Sequence, residues 1–290
     1  MQIQYNCYKC IFNQIVDMAK AAFTEDAERR RLLKIFINEV IEHSENFTPP
    51  EMAARFYTIY REETGEADPF AEEKQKSTEL ALKLYPELET MVKNSADPFL
   101  TAVKIAISGN VIDFGATPDF QLKDAENAIR STIAQTVDAE ALELLRRKAQ
   151  QAKNILYILD NCGEAVIDRL LINELGAEKV TLGVRGEAIL NDVTRAELPG
   201  SGLGDLPVID NGFNAPGVSL RFSSPEFLER MNKADLVIAK GQGNFESLND
   251  AQEFANIFFL FRVKCPVICE ITGKKYGTLQ ICRGRNTKRA

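Results

Sequence analysis

The stretch YILDNCGEAVIDRLLINELG, residues 157 to 176, constrains the fold more than any other part of the chain. An apolar run from Ile155 to Leu159 stops at Asp160-Asn161, and Gly163 follows. Apolar side chains then recur at Val166, Ile167, Leu170, Leu171 and Leu175 with helical spacing, until Gly176 supplies a C-cap. A buried strand, a polar turn and a one-faced helix, followed by a second apolar run at Lys179 to Val184, make a βαβ unit. Further runs at Asp235 to Ala239, Ile257 to Phe261 and Val267 to Ile271 extend the same grammar. It predicts an α/β fold, an α/β/α sandwich built on a mostly parallel sheet. Residues 186 to 232, richer in Gly, Pro and Asn, read as loop-heavy and as the place for substrate-specific structure.

Upstream the pattern is helix after helix. Thr48-Pro49-Pro50-Glu51 is a capping box with proline at the first helical position, and Asp68-Pro69 and Asp97-Pro98 each read as an N-cap followed by proline. The expected division is a helical N-terminal domain, residues 1–108, and an α/β/α metal- and phosphate-binding domain, residues 109–290.

The net charge of −7 argues against nucleic acid, whose phosphates require concentrated positive charge. No apolar run approaches the ~18 residues of a membrane span, and the first ten residues lack a basic-then-apolar leader, so a cytoplasmic location is expected and a membrane partner is not. Six cysteines, at 7, 10, 162, 265, 269 and 282, are too sparse for a disulfide framework. Cys7-x-x-Cys10 with Cys265 and Cys269 could form a four-thiolate zinc site, but free thiols are the preferred reading.

In an open parallel sheet, ligands bind beyond the carboxyl ends of the strands. Three polar placements fall there on this reading. Ile155–Leu159 ends in Asp160-Asn161, the run Ala188-Ile189-Leu190 ends in Asn191-Asp192, and the strand at 235–239 ends in Lys240 followed by Gly241-Gln242-Gly243-Asn244. Two carboxylates and a carboxamide are the oxygen donors that hard divalent cations prefer. A lysine facing them suits a phosphate that the metal also holds. Gly241 and Gly243 would let backbone N–H groups approach that anion, and Glu164 in the first helical turn could orient water or hold a substrate hydroxyl. Singly, each residue is explained equally well as a cap or a turn; their concurrence points to a metal-assisted phosphoryl site. GQGNFE lacks the third glycine of the dinucleotide fingerprint, and its lysine precedes the glycines, unlike a Walker A loop. The single histidine, His43, falls on an N-terminal helix, away from these strand ends.

Taken in order, SGNVIDFG at 108–115, LDNCGE at 159–164, VRGEAILNDVT at 184–194 and ADLVIAKGQGNFESL at 234–248 resemble the metal-dependent damage-control phosphatase family, also known as domain of unknown function 89. The N-terminal CYKC resembles the stand-alone prokaryotic branch. The resemblance implies a divalent-metal phosphatase (Mn, Mg, Co or Ni) acting on a small phosphorylated metabolite such as a sugar phosphate. It implies Asp160, Asn161 and Asp192 as metal ligands, with Lys240 beside them in catalysis. Glu164, Lys240, Gly241, Gly243, Asn244 and Arg185 fall on the substrate side, and Asn110 and Asp113 near the site. The family commonly carries proline before its N-D motif, where this chain has Ala188. Two other readings stay open at this stage: an S-adenosylmethionine-dependent carboxyl methyltransferase, suggested by LDNCGEA, and a non-catalytic sensor of phosphorylated metabolites.

Overall fold

A computed structural model describes residues 1–109, 122–251 and 256–284. Five helices come first: α1 (Cys7–Ala22), α2 (Asp26–His43), α3 (Pro49–Thr64), α4 (Ala71–Lys93) and α5 (Pro98–Ser108). Then follow α6 (Leu122–Ile133), α7 (Ala139–Gln151), β1 (Ile155–Ile158), α8 (Cys162–Leu175), β2 (Val180–Val184), α9 (Leu198–Ser201) and β3 (Val208–Asp210). The chain continues with α10 (Pro225–Lys233), β4 (Leu236–Lys240), α11 (Gly241–Leu248), β5 (Ile257–Arg262), α12 (Pro266–Thr272) and β6 (Leu279–Arg283).

The six strands form one sheet in the order β3-β2-β1-β4-β5-β6, parallel except for the antiparallel β5–β6 pair. From β1 the chain runs outward to β2 and β3, then returns to place β4 on the other side. The strand order therefore reverses between β1 and β4, with Ile158 beside both Gly183 and Ala239. That reversal opens a crevice at the carboxyl ends of β1, β2 and β4.

Side chains of β1 alternate between two cores, as a pleated strand requires. Ile155 and Tyr157 join a core with α4, α5, α7 and α8, while Leu156 and Ile158 join one with α1, α2, α3, α10 and α11. Every residue of β1, β2 and β4 is buried, which is why they read as largely apolar runs. The helices that precede residue 109 thus cover both faces of the sheet: α4 and α5 lie against α8 on one, and α1 to α3 on the other.

The capping box of α3 is present, with the Thr48 side chain accepting from the Glu51 N–H and the chain leaving through Gly65 at φ 72. Asp97 caps α5 by accepting from the Leu100 N–H at 3.0 Å. Asp68 does not cap a helix directly; it accepts from the Phe70 N–H at 3.1 Å in a turn, and α4 starts at Ala71. Two predicted strands are corrected. Val267–Ile271 lies in α12, because Pro266 presets the first helical turn after Cys265. Ala188–Leu190 is a loop, in which Leu190 takes φ 46, outside any strand conformation. β3, of three residues, and β6 fall outside the predicted set.

Candidate active site

The crevice holds the side chains that the strand ends deliver. Asp160 follows β1, Asn161 stands at the N-cap of α8, Arg185 follows β2 and Lys240 ends β4. Asp192 arrives from a loop that folds back beside β1: an isolated bridge joins Asn161 to Asp192, and the Val193 N–H donates to the Asp160 carbonyl at 2.9 Å. Asp192 therefore reaches Asp160 and Asn161 through a loop return and not through a strand end, as the sequence reading had it.

Within the crevice each acid meets a donor. Arg185, 1% exposed, donates from Nε to Asp192 Oδ2 at 2.7 Å and from Nη1 to Asn244 Oδ1 at 3.3 Å, and its Nη2 lies 3.5 Å from Asp160 Oδ1. Lys240, fully buried, donates from Nζ to Asp168 Oδ1 at 2.7 Å and to Glu164 Oε2 at 3.0 Å. The other Glu164 oxygen accepts from Asn161 Nδ2 at 2.9 Å, and Asp168 also accepts from the Tyr157 hydroxyl at 2.9 Å. Asn244 Nδ2 donates to the Lys240 carbonyl at 2.7 Å, tying the first turn of α11 to the strand before it.

The glycines of this loop are required by close packing, whatever their backbone N–H groups approach. Gly241 has φ +80, and a Cβ there would stand 1.9 Å from Asp160 Oδ2. A Cβ on Gly243 would stand 1.9 Å from the Pro216 carbonyl oxygen. Gly241 thus makes room for the Asp160 carboxylate itself, and Gly243 for the loop that closes over α11.

Electrostatics separate this crevice from an ordinary buried ion-pair network. Four buried carboxylates, Asp160, Glu164, Asp168 and Asp192, face two buried cations, Arg185 and Lys240. Burial, reinforced by the charges of Asp192 and Glu164, pushes Asp160 well above the usual carboxylate range despite Arg185 and Lys240. Burial also raises Asp192 to about 6 against the pull of Arg185, and Asp168 to about 6 against that of Lys240. For Lys240 burial works against the charge, but Asp168 and Glu164 outweigh it and the ammonium is held more firmly than usual. A surplus of negative charge out of water is costly unless a cation balances it. Buried Arg185 Nη2 and Asp168 Oδ2 have no hydrogen-bond partner among the described residues. Among those residues no three His, Cys, Asp or Glu side chains converge as a ligand set. Asp160 and Asp192 both approach Arg185, and the backbone bridge sets Asn161 beside Asp192; with the charge surplus, oxygen donors of these types suit a divalent cation.

Several neighbours escaped the sequence reading. Asp168 stands four residues after Glu164, on the same face of α8, a spacing that could have revealed it. Lys74 of α4, only 2% exposed, pairs with Asp68 at 2.8 Å and with Glu197 at 3.3 Å. Glu197 in turn accepts from the backbone and hydroxyl of Thr194 at 2.8 and 2.7 Å, bracing the loop that carries Asp192. Nothing local in the sequence announces that contact across 123 positions. Near Ala188, Arg61 of α3 donates to the Ala188 carbonyl at 2.9 Å and to Glu187 at 2.8 Å, holding the loop where the family commonly has proline. Asn110 and Asp113 lie outside the described residues.

A doubly wound sheet with a carboxylate-rich, cation-braced crevice at its switch point defines a class of α/β proteins suited to phosphoryl chemistry. Comparison with known proteins narrows the class. The family model "Damage-control phosphatase ARMT1-like domain" matches residues 3–279. The chain is 36% identical over 295 residues to damage-control phosphatase PH1575 of Pyrococcus horikoshii, covering 98% of this chain and 99% of that one. It is 29% identical over 291 residues to a damage-control phosphatase of Archaeoglobus fulgidus, covering 96% and 98%. The crystal structure of PH1575, described as a DUF89 family protein, superposes with a TM-score of 0.88 at 34% identity over 98% of this chain and 100% of the other. The chain belongs to the damage-control phosphatase family.

Proposed function

We propose that this protein is a divalent-metal-dependent phosphatase that hydrolyses small phosphorylated metabolites. The observation that carries the reading is the surplus of buried carboxylates at the switch point, facing Arg185 and Lys240. Asp160, Asn161 and Asp192 would hold the metal, with Mn²⁺, Mg²⁺, Co²⁺ and Ni²⁺ as the candidate ions. When bound, such an ion supplies Lewis-acid polarisation of a phosphoryl oxygen and balances the acidic surplus.

The residues of the chain supply the rest. Arg185 Nη2, buried, 3.5 Å from Asp160 Oδ1 and without a hydrogen-bond partner among the described residues, would donate to a phosphoryl oxygen beside Asp160 and offset charge there as the ester bond breaks. Asn161 Nδ2 and Lys240 Nζ grip the two oxygens of Glu164, so that carboxylate is fixed to orient water or a substrate hydroxyl. Lys240 thus acts from behind Glu164 and Asp168, not as a direct phosphate clamp. Asn244 fixes Arg185 from the α11 side. Water adds to phosphorus, the P–O bond to the leaving alcohol breaks, and the alcohol departs with a proton.

Gly163, the glycine that suggested a methyl-donor loop, sits in α8 where a Cβ would meet Ser77 at 3.1 Å. Its small size serves packing against α4, so this glycine needs no methyl donor to explain it. The absence of turnover would favour the sensor. The test is phosphate release from a panel of sugar and nucleotide monophosphates with each candidate metal and with chelator. Metal-dependent release that is lost in Asp192→Ala is expected; release that survives chelation and this substitution would refute the proposal.

A further inference from the structure

One line of hydrogen bonds runs from the apolar core to Glu164. The Tyr157 hydroxyl donates to Asp168 Oδ1 at 2.9 Å, and the same oxygen accepts from Lys240 Nζ at 2.7 Å. Lys240 Nζ also donates to Glu164 Oε2 at 3.0 Å, and Asn161 Nδ2 holds the other Glu164 oxygen at 2.9 Å. Three elements supply the line: β1 gives Tyr157, β4 gives Lys240, and α8 gives both acids, four residues apart on one helical face. Tyr157, Asp168 and Lys240 are all fully buried.

Stability does not account for this arrangement. A buried acid–lysine pair adds little, because well-packed apolar residues of similar volume do as well or better. Here the pair is also imperfectly satisfied: both donors fall on Asp168 Oδ1, and Oδ2 has no hydrogen-bond partner among the described residues. Leaving a buried polar atom unpaired is unfavourable. What the arrangement does provide is a fixed ammonium. A lysine carries its charge on a flexible four-carbon stem, so Glu164 alone would leave it free to turn. Asp168 gives Lys240 a second fixed point, and the Tyr157 hydroxyl keeps Asp168 from following the lysine. Burial, with the charge of Asp168, pushes the Tyr157 phenol well above its ordinary pKa, so it stays a donor. Among the described residues the side-chain partners of Asp168 are Tyr157 and Lys240, and it reaches the crevice through the lysine.

Resting on the phosphatase reading, we propose that Asp168 and Tyr157 are positioning residues of the reaction: they fix the Lys240 ammonium, and through it Glu164, in the orientation that hydrolysis requires.

The experiment measures kcat and KM at a saturating concentration of the most effective candidate metal, on the panel monophosphate that the wild type cleaves fastest. Asp168→Asn keeps the shape and removes the charge. It is expected to lower kcat about 10- to 100-fold, with KM and calorimetric metal affinity within about threefold of the wild type. Tyr157→Phe leaves the ring in the core and is expected to lower kcat about threefold to tenfold; it decides the matter should Asp168→Asn not fold. Adding Asp168→Asn to Lys240→Met is expected to cost less than about threefold more than Lys240→Met alone, because Asp168 acts through the lysine. Costs that multiply in the double variant, or wild-type kcat in both Asp168→Asn and Tyr157→Phe, overturn the inference while leaving the phosphatase intact. Metal affinity that falls as far as kcat also overturns it, by making Asp168 part of metal binding. A wild type that releases phosphate from no ester under any metal removes the phosphatase reading and this one with it.

Discussion

Gly241→Ala probes the site through one added carbon. Position 241 has φ +80, and the new Cβ would lie 1.9 Å from Asp160 Oδ2, where real Cβ contacts stay beyond 3.0 Å. The carboxylate or the α11 loop must therefore move by about 1 Å, and a displacement of that size at a reacting centre costs on the order of 100-fold in rate. Left-handed backbone at alanine adds about 1 kcal/mol of destabilisation. Gly65→Ala isolates the two effects, since Gly65 has φ 72 at the end of α3 but nothing within 4 Å of its Cβ position. Both variants should lose about 1 kcal/mol or more in urea denaturation, and only Gly241→Ala should lose roughly 100-fold or more in metal-dependent phosphate release. If Gly241→Ala kept kcat/KM within about threefold of Gly65→Ala, the placement of Asp160 against Gly241 would be wrong as a determinant of activity.

Other expectations follow from the same contacts. Lys74→Met leaves Asp68 and Glu197 facing each other without their shared cation, so it should cost about 2 kcal/mol in urea denaturation, with Lys74→Arg recovering part of it. An unchanged midpoint would contradict the bracing role given to Lys74. Asp97 is pushed up by burial but pulled further down by the Leu100 N–H and by Arg146, so its folded value lies below the ordinary 3.8. As pH falls the unfolded chain takes up this proton first, so the cap's stabilisation is full above 3.8 and is lost as pH drops through the depressed folded value. The stability gap between wild type and Asp97→Asn should therefore close at acid pH, and a gap that widened there would reverse the assigned sign.

The βαβ unit was legible because three physical signals agreed on it: a fully apolar run, a helical period and a terminal glycine. Asp160, Asn161 and Glu164 followed from that unit alone. Asp192 was named for a reason the structure replaces, since Ala188-Ile189-Leu190 is apolar enough for a strand yet turns at Leu190. Lys240 was correctly set at a strand end, but one of its protein partners went unnamed. Asp168, on the same face of α8 as Glu164, takes the ammonium at 2.7 Å. The run Val267–Ile271 shows why short apolar segments are ambiguous: five residues satisfy either period, and Pro266 settles the matter in favour of a helix. Contacts such as Lys74–Glu197 depend on how α4 docks on α8, and no local pattern encodes that.

The central claim is that Asp160, Asn161 and Asp192 form a divalent-cation site among surplus buried carboxylates. Calorimetric titration of metal-free protein with Mn²⁺ tests it without reference to turnover. The account predicts saturable binding of Mn²⁺ by the wild type and a loss of affinity of about 100-fold in Asp192→Asn, with Gly65→Ala binding as the wild type does. Equal affinity in wild type and Asp192→Asn, or no binding by either, would contradict it.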